Sequence, residues 1–142
     1  MTDEVEIPAP PEGYVRSEDR GPFSMHNGPY FQARPAEGAA QAFYVLPRHC
    51  NRMGIVHGGM LTSFLDSALA AAVGRQTKTA SVTIHLSVDF LSMARAGEWV
   101  MAESRVTRAT REVVFAEARI HAGEKDIVRG SGVFKLMHRK VE

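Results

Sequence analysis

The sequence predicts an α+β domain in which one antiparallel sheet curls around a single long helix. Three observations predict it. Leu61, Phe64, Leu65, Ala68, Leu69 and Ala72 recur at the i, i+3, i+4, i+7 spacing of a helical stripe. Val82, Ile84, Leu86, Val88 and Phe90 alternate with Thr83, His85, Ser87 and Asp89, the period of a strand. Further β-prone runs separated by turn signals follow that strand.

Taken in order, residues 1 to about 22 are rich in Pro, Gly and charge (Pro8, Pro10, Pro11, Gly13, Glu18, Asp19, Arg20, Gly21, Pro22), which reads as an arm without strong local structure. From Phe23 to Arg34 short apolar pieces alternate with Gly28 and Pro29, the pattern of a flap packed on the domain. The expected division is an arm at 1–35 and a domain at 36–142. Gln41 to Leu46 is β-prone and stops at Pro47, the first expected strand. In the helix, Met60, Ala70, Ala71 and Val73 make the remaining faces apolar too, and a helix apolar nearly all round is a buried one. Gly74 reads as its stop. After the Val82–Phe90 strand, Ala96-Gly97 turns into a strand from Trp99 to about Val106, and a polar turn at Thr107–Arg111 precedes Val113–His121. Ala122–Lys125 then turns into a last strand, Ile127 to about Met137, where Gly130 and Gly132 mark a bulge or a close backbone approach. Short connections pair consecutive strands antiparallel, giving a sheet of five to six strands.

Bulk properties narrow the function. Seventeen basic against sixteen acidic residues leave a formal charge of +1, which does not suggest nucleic-acid binding. No apolar run approaches the roughly 20 residues of a membrane span. The start, Met1-Thr2-Asp3-Glu4-Val5-Glu6, lacks the basic and apolar regions of a signal peptide. The lone Cys50 forms no internal disulfide, and both features point to the cytoplasm.

The chemistry concentrates in Asn51-Arg52-Met53-Gly54-Ile55-Val56-His57-Gly58-Gly59, which runs directly into the helix that carries Asp66. Asp66 lies beside the apolar stripe, where desolvation raises an acid's pKa and suits it to act as a base or nucleophile. The alternative is a carboxylate that is partly exposed or bonded to nearby backbone. Gly58 and Gly59 let backbone approach a ligand, and N–H groups at a helix start stabilise an oxyanion; a tight turn explains them equally. Asn51 and His57 either donate hydrogen bonds to a carbonyl or order the turn. Thr83, on the polar face of its strand, offers a hydroxyl that could orient a water for Asp66. Arg95, Arg105, Arg108 and Arg111 form a basic series suited to phosphate, or an ordinary solvated surface. Met60, Phe64 and Phe90 are candidate pocket residues. Cys50 has no second thiol and no metal-ligand spacing beside it, and no P-loop, dinucleotide fingerprint or nucleophile elbow is present, so neither a metal nor a resident cofactor is expected.

Helix rise adds a constraint. Gly58 and Asp66 stand eight residues apart, about 12 Å along one helix. A reacting carbonyl must lie roughly 3 Å from both its oxyanion donor and its attacking group. If both act, Asp66 faces the Gly58 end of a second, antiparallel copy, in a twofold dimer with two composite sites.

From about Gln41 to Met137 the chain resembles the hotdog-fold acyl-CoA thioesterases of the PaaI type, in strand order and in the run Asn51-x-x-Gly54-x-x-His57-Gly58-Gly59 followed by Asp66. The resemblance implies thioester hydrolysis, with Asp66 as base or nucleophile and the Gly58 N–H as oxyanion donor. It implies that Asn51 and His57 lie at the thioester, that Gly59 and Phe90 contact substrate, and that Arg95, Arg108 and Arg111 meet the phosphates of CoA. Thr83 stands where relatives place a Ser that holds the nucleophile. The resemblance further implies a homodimer or homotetramer with sites shared between subunits, and CoA as part of the substrate rather than a cofactor. Two rival readings are a hotdog hydratase or dehydratase of β-hydroxyacyl or enoyl thioesters, and a non-catalytic acyl-CoA-binding protein.

Overall fold

The computed structural model describes residues 6–34 and 39–140. They form β1 (Tyr14–Arg16), α1 (Pro22–Asn27), β2 (Tyr30–Ala33), β3 (Ala39–Tyr44), α2 (Gly58–Thr77), β4 (Thr79–Phe90), β5 (Trp99–Ala109), β6 (Val113–Ala122) and β7 (Lys125–Lys140). The sheet order is β1-β2-β3-β5-β6-β7-β4, antiparallel throughout, with α2 packed across it. The α+β class with one long helix therefore holds. Seven strands are present among the described residues, where five to six were expected.

The additional strands come from the arm. β1 pairs with β2 and β2 with β3, so Tyr14–Arg16 is a strand where an arm without strong local structure was expected, and the flap expected from Phe23 to Arg34 packs on the domain through β2. These strands are too short to show a period, and an open sheet edge supplies their backbone partners. Side chains fasten the arm as well. The Arg20 guanidinium donates to Gln41 Oε1 at 3.0 Å and lies 5.2 Å from the centre of the Tyr30 ring. Tyr30 in turn packs on Phe64 and Phe43. The expected boundary between residues 35 and 36 lies outside the described residues.

α2 starts where His57 leaves extended backbone (φ −62°, ψ 136°) and its Nδ1 accepts the Gly59 N–H at 2.8 Å, an N-cap bond. The stripe Leu61, Phe64, Leu65, Ala68, Leu69, Ala72 is buried against the sheet as its spacing predicts. Gly74 does not end the helix. The stop is Lys78, in left-handed backbone (φ 55°), whose N–H bonds the Gly74 carbonyl at 2.9 Å. Nor is the helix covered all round: Thr62, Ser63, Asp66, Ser67, Ala70 and Ala71 are only half-buried, because the sheet covers one side.

The glycines of β7 decide how closely α2 sits. A Cβ at Gly130 would lie 2.5 Å from Leu65 Cδ2 and 3.0 Å from the Ser87 carbonyl oxygen. A Cβ at Gly132 would lie 3.0 Å from Leu69 Cδ1. Of the two expectations for this pair, close approach is the one that holds, since the register of β7 with β6 and β4 runs unbroken across both positions.

β4 departs most from expectation. It pairs with β7 and not with β5, because the segment 91–98 crosses from the sheet edge to its middle. Its second edge has no strand beside it among the described residues. Val82, Ile84 and Phe90 are 50%, 57% and 55% exposed, although their alternation reads as a buried face. A register shift between Thr83 and His85 adds to the break.

Gly130→Ala is expected to destabilise the protein by about 1–3 kcal/mol, since Leu65 is fully buried and the Ser87 carbonyl cannot withdraw. Chemical denaturation measures this, and a loss below about 0.5 kcal/mol refutes close packing at this point.

Candidate active site

The loop before α2 is built from its own backbone. Asn51 N–H donates to the Ile55 carbonyl at 2.8 Å and Gly54 N–H to the Asn51 carbonyl at 3.0 Å. Asn51 Oδ1 accepts the Met53 N–H at 2.9 Å, an Asx turn. Val56 N–H then bonds the Ala94 carbonyl at 2.9 Å, and Ile55 bridges Arg95, so the loop lies against the crossover segment. Asn51 thus orders the turn through its oxygen, and its amide nitrogen donates to nothing among the described residues.

His57 combines two roles. Its N–H donates to the His49 carbonyl at 2.9 Å, and its Nδ1 accepts from Gly59. A neutral ring with Nδ1 as acceptor carries its proton on Nε2, which is then a donor. A Cβ on Gly59 would lie 2.9 Å from His57 Nδ1, so a side chain there would displace the capping ring. Gly58, one residue earlier, keeps an N–H that no group among the described residues accepts. Orphan donors of this kind carry the positive end of the helix dipole. The Phe90 ring lies over Gly58, at 3.5 Å from where a Cβ would be.

Asp66 lies two turns further on, at the surface between α2 and β4. Thr83 Oγ1 donates to Asp66 Oδ1 at 2.6 Å, which fixes the carboxylate and leaves Oδ2 uncommitted among the described residues. The desolvation expected beside the stripe is only partial, since Asp66 faces outward and is half-buried. Thr83 therefore meets Asp66 as its position in the strand suggested. Within one chain neither reaches Gly58, which stands about 12 Å away along the helix.

The other expected residues divide. Phe64 is fully buried in an aromatic core with Phe43 (ring centres 4.8 Å apart), whereas Met60 lies at the edge of the core beside His57. Arg105 pairs with Glu117 at 2.5 Å across the sheet. Arg95 sits at the α2 start, but Arg108 and Arg111 lie at the far end of β5, roughly 30 Å away at about 3.3 Å per residue. The expected strand from Trp99 to about Val106, between the Ala96-Gly97 and Thr107–Arg111 turns, already implied that separation. Cys50 is held as a structural thiol: Sγ–H points to the Leu46 carbonyl at 3.6 Å, and burial pushes its pKa up. His49 is structural too, accepting the Leu46 N–H at 3.0 Å and meeting the Asn27 carbonyl at 2.6 Å. Sequence reasoning missed Phe23, which α1 brings to the start of α2; an isolated Phe among prolines and glycines was the only available signal.

The thioesterase superfamily profile matches residues 53–128, which hold His57, Gly58, Asp66 and Thr83. A Pseudomonas aeruginosa protein named as a candidate esterase is 35% identical over 129 residues, 89% of this chain and 96% of that one.

The chain belongs to the thioesterase superfamily.

Solved structures agree on the fold. The Escherichia coli PaaI protein of the phenylacetic acid degradation operon superposes with a TM-score of 0.69 at 23% identity, over 72% of this chain and 75% of that one. A Thermus thermophilus PaaI variant gives 0.73 at 21%, over 81% and 98%. A hypothetical thioesterase of Streptococcus pneumoniae, solved with coenzyme A, gives 0.69 at 15%, over 92% and 93%. This superfamily member has the hotdog fold, with an edge built from its own arm. No helix among the described residues is long and apolar enough to cross a membrane.

Because its raised pKa keeps Cys50 as a thiol at neutral pH, iodoacetamide is expected to label the native protein more slowly than the unfolded chain. The native labelling rate should begin to climb only above the ordinary thiol range. Fast labelling at pH 7, with loss of activity that Cys50→Ser also shows, would reopen the thiol as a nucleophile.

Proposed function

We propose that this protein is an acyl-CoA thioesterase that converts an acyl- or aryl-CoA and water to the free acid and CoA. The observation that carries the reading is the Thr83–Asp66 hydrogen bond at 2.6 Å on an uncovered face of α2 and β4. A carboxylate oriented by one oxygen offers the other to a water. Asp66 Oδ2 takes a proton from that water as its oxygen attacks the thioester carbon. Negative charge develops on the carbonyl oxygen, where the Gly58 N–H receives it at the positive end of α2. Collapse breaks the C–S bond, the leaving thiolate takes the proton that Asp66 gained from the water, and the His57 Nε2–H donates a hydrogen bond to the departing sulfur. Asn51 donates through its amide nitrogen and holds the carbonyl in place.

The reaction needs Asp66 and Gly58 within reach of one carbonyl, so the working unit in this reading is a twofold homodimer. Three features support it. The outer edge of β4 has no partner strand among the described residues, Val82 and Ile84 stand exposed on it, and the outward face of α2 carries the small residues Ser63, Ser67, Ala70 and Ala71. A second, antiparallel copy covers all three and brings its Asp66 to the Gly58 of the first. In the same reading Arg95 of one copy and Arg108 and Arg111 of the other contact the phosphates of one CoA.

Asp66→Asn is expected to lower kcat about 100- to 10,000-fold without loss of fold. Gly58→Pro removes the N–H and adds a ring against Phe90 at ordinary contact distance; Pro suits the first helical position, and His57 before it is already extended. That change should cost about 100- to 1000-fold in kcat. Refolding the two inactive variants together should restore about a quarter of wild-type activity, since half the dimers are mixed and each mixed dimer has one intact site. Absence of recovery, in dimers shown to be mixed, rules out the shared site. Tight CoA binding with no turnover across acyl groups, or hydration of an enoyl-CoA, rules out the thioesterase.

A further inference from the structure

Two turns carry arginines that the reading above places at the phosphates of CoA, and each turn also carries an acid. Thr110 closes the turn between β5 and β6: its N–H donates to the Val113 carbonyl at 2.8 Å and its Oγ1 accepts the Val113 N–H at 3.0 Å. Arg111 and Glu112 are left at the tip. Opposite charges so close can pair with each other, and a guanidinium already paired is lost to a phosphate. Here they do not pair. The Glu112 carboxylate is turned to β7, where Oε2 accepts from Lys135 Nζ at 2.5 Å and Oε1 from His138 Nε2 at 2.9 Å. The Glu112 carbonyl accepts the Leu136 N–H at 2.9 Å, so backbone and side chain are fastened to the same strand. His138 stands in left-handed backbone (φ 53°), uncommon for a residue with a side chain, at the point where its ring meets the carboxylate. The hydrogen bonds from Lys135 and His138 hold the Glu112 carboxyl below the usual carboxylate range, and it stays ionised at neutral pH.

The same arrangement recurs at Arg95. Glu98 Oε1 accepts the Arg95 backbone N–H at 2.8 Å, and its Oε2 lies 3.7 Å from Lys125 Nζ. In both turns a lysine of β7 meets the charge of the acid. The guanidinium groups of Arg95, Arg108 and Arg111 have no hydrogen-bond or ion-pair partner among the described residues, whereas Arg105 is taken up by Glu117, and Arg119 by Glu103 and Asp126. We propose that Lys135 and His138 are positioning residues for the phosphate contact: by holding the Glu112 carboxylate on β7 they keep Arg111 unpaired for the phosphates of CoA. This rests on the acyl-CoA reading above. Glu112 and His138 are exposed and Lys135 is half-buried, and exposed ion pairs add little to stability. Their arrangement therefore decides which charges stay free rather than whether the chain folds. With both donors removed, the carboxylate is left beside Arg111, and the guanidinium becomes its partner.

Calorimetric titration with CoA and with pantetheine, which lacks the phosphates, tests this on wild type, Lys135→Gln/His138→Gln and Glu112→Gln/Lys135→Gln/His138→Gln. KM and kcat are measured alongside on the best of acetyl-, benzoyl- and octanoyl-CoA and on the matching pantetheine thioester. The double variant is expected to bind CoA about fivefold more weakly at low ionic strength, with KM rising in step, kcat within about twofold and pantetheine affinity unchanged. Removing Glu112 as well should return CoA affinity to within about twofold of wild type, since no carboxylate then competes for Arg111. A merely structural pair gives no such rescue. A double variant that binds CoA like wild type, or a loss that Glu112→Gln does not restore, overturns this inference and leaves the thioesterase standing. A wild type that hydrolyses CoA thioesters but binds CoA no more tightly than pantetheine overturns the arginine–phosphate contact, and this inference with it. A wild type that hydrolyses none of the thioesters and does not bind CoA overturns the acyl-CoA reading as a whole.

Discussion

Leu65 and Leu69 reach the sheet through two positions of β7 that lack side chains, Gly130 and Gly132. Everything else in the arrangement follows from that seat. It brings α2 close enough for Phe64, Phe134, Ile120 and Val100 to exclude water around it. It also fixes the rotation of the helix. With the leucines turned to the sheet, the helical period puts Ser63, Asp66, Ser67 and Ala70 on the opposite side. The one carboxylate of the helix is therefore presented beside β4, where the Thr83 hydroxyl meets it.

The start of α2 is organised around an unequal use of its orphan donors. His57 takes the N–H of Gly59 and leaves that of Gly58. The carbonyls of His49 and Ala94 hold the residues just before, so the free N–H sits on rigid backbone. A donor fixed in advance stabilises developing charge without the cost of reorganising during the reaction. The same backbone reaches the arm through His49, a residue of the loop whose ring and carbonyl connect Leu46, α1 and the helix start.

How much of this was legible in the sequence depended on whether the signal was local. The stripe from Leu61 to Ala72 identified both the helix and its buried face, because side-chain period follows backbone geometry. The hairpins of β5, β6 and β7 were legible from their turns, with ends a few residues longer than expected. Gly74 misled because a left-handed stop needs only a suitable carbonyl four residues back, and Lys78 uses that of Gly74 itself. Alternation in β4 announced a strand with an apolar face. It could not announce that the strand lies at the edge, since pairing with β7 rather than β5 is a fact of topology. The arm failed for a related reason: β1 and β2 are strands only because β3 offers them an edge.

The sequence by itself determined the fold class and the membership of the candidate site. Asn51, His57, Gly58 and Asp66 stand in one continuous run, and helix rise alone separates the donor from the acid. Only the tertiary structure decided which of these residues meet. It joined Thr83 to Asp66 across seventeen positions of sequence. It also brought Phe23 from the arm to the start of α2. The physical reason is common to both. Backbone periodicity acts over a few residues and is written in the chain, whereas contact between distant side chains depends on strand order and on how closely the helix can seat.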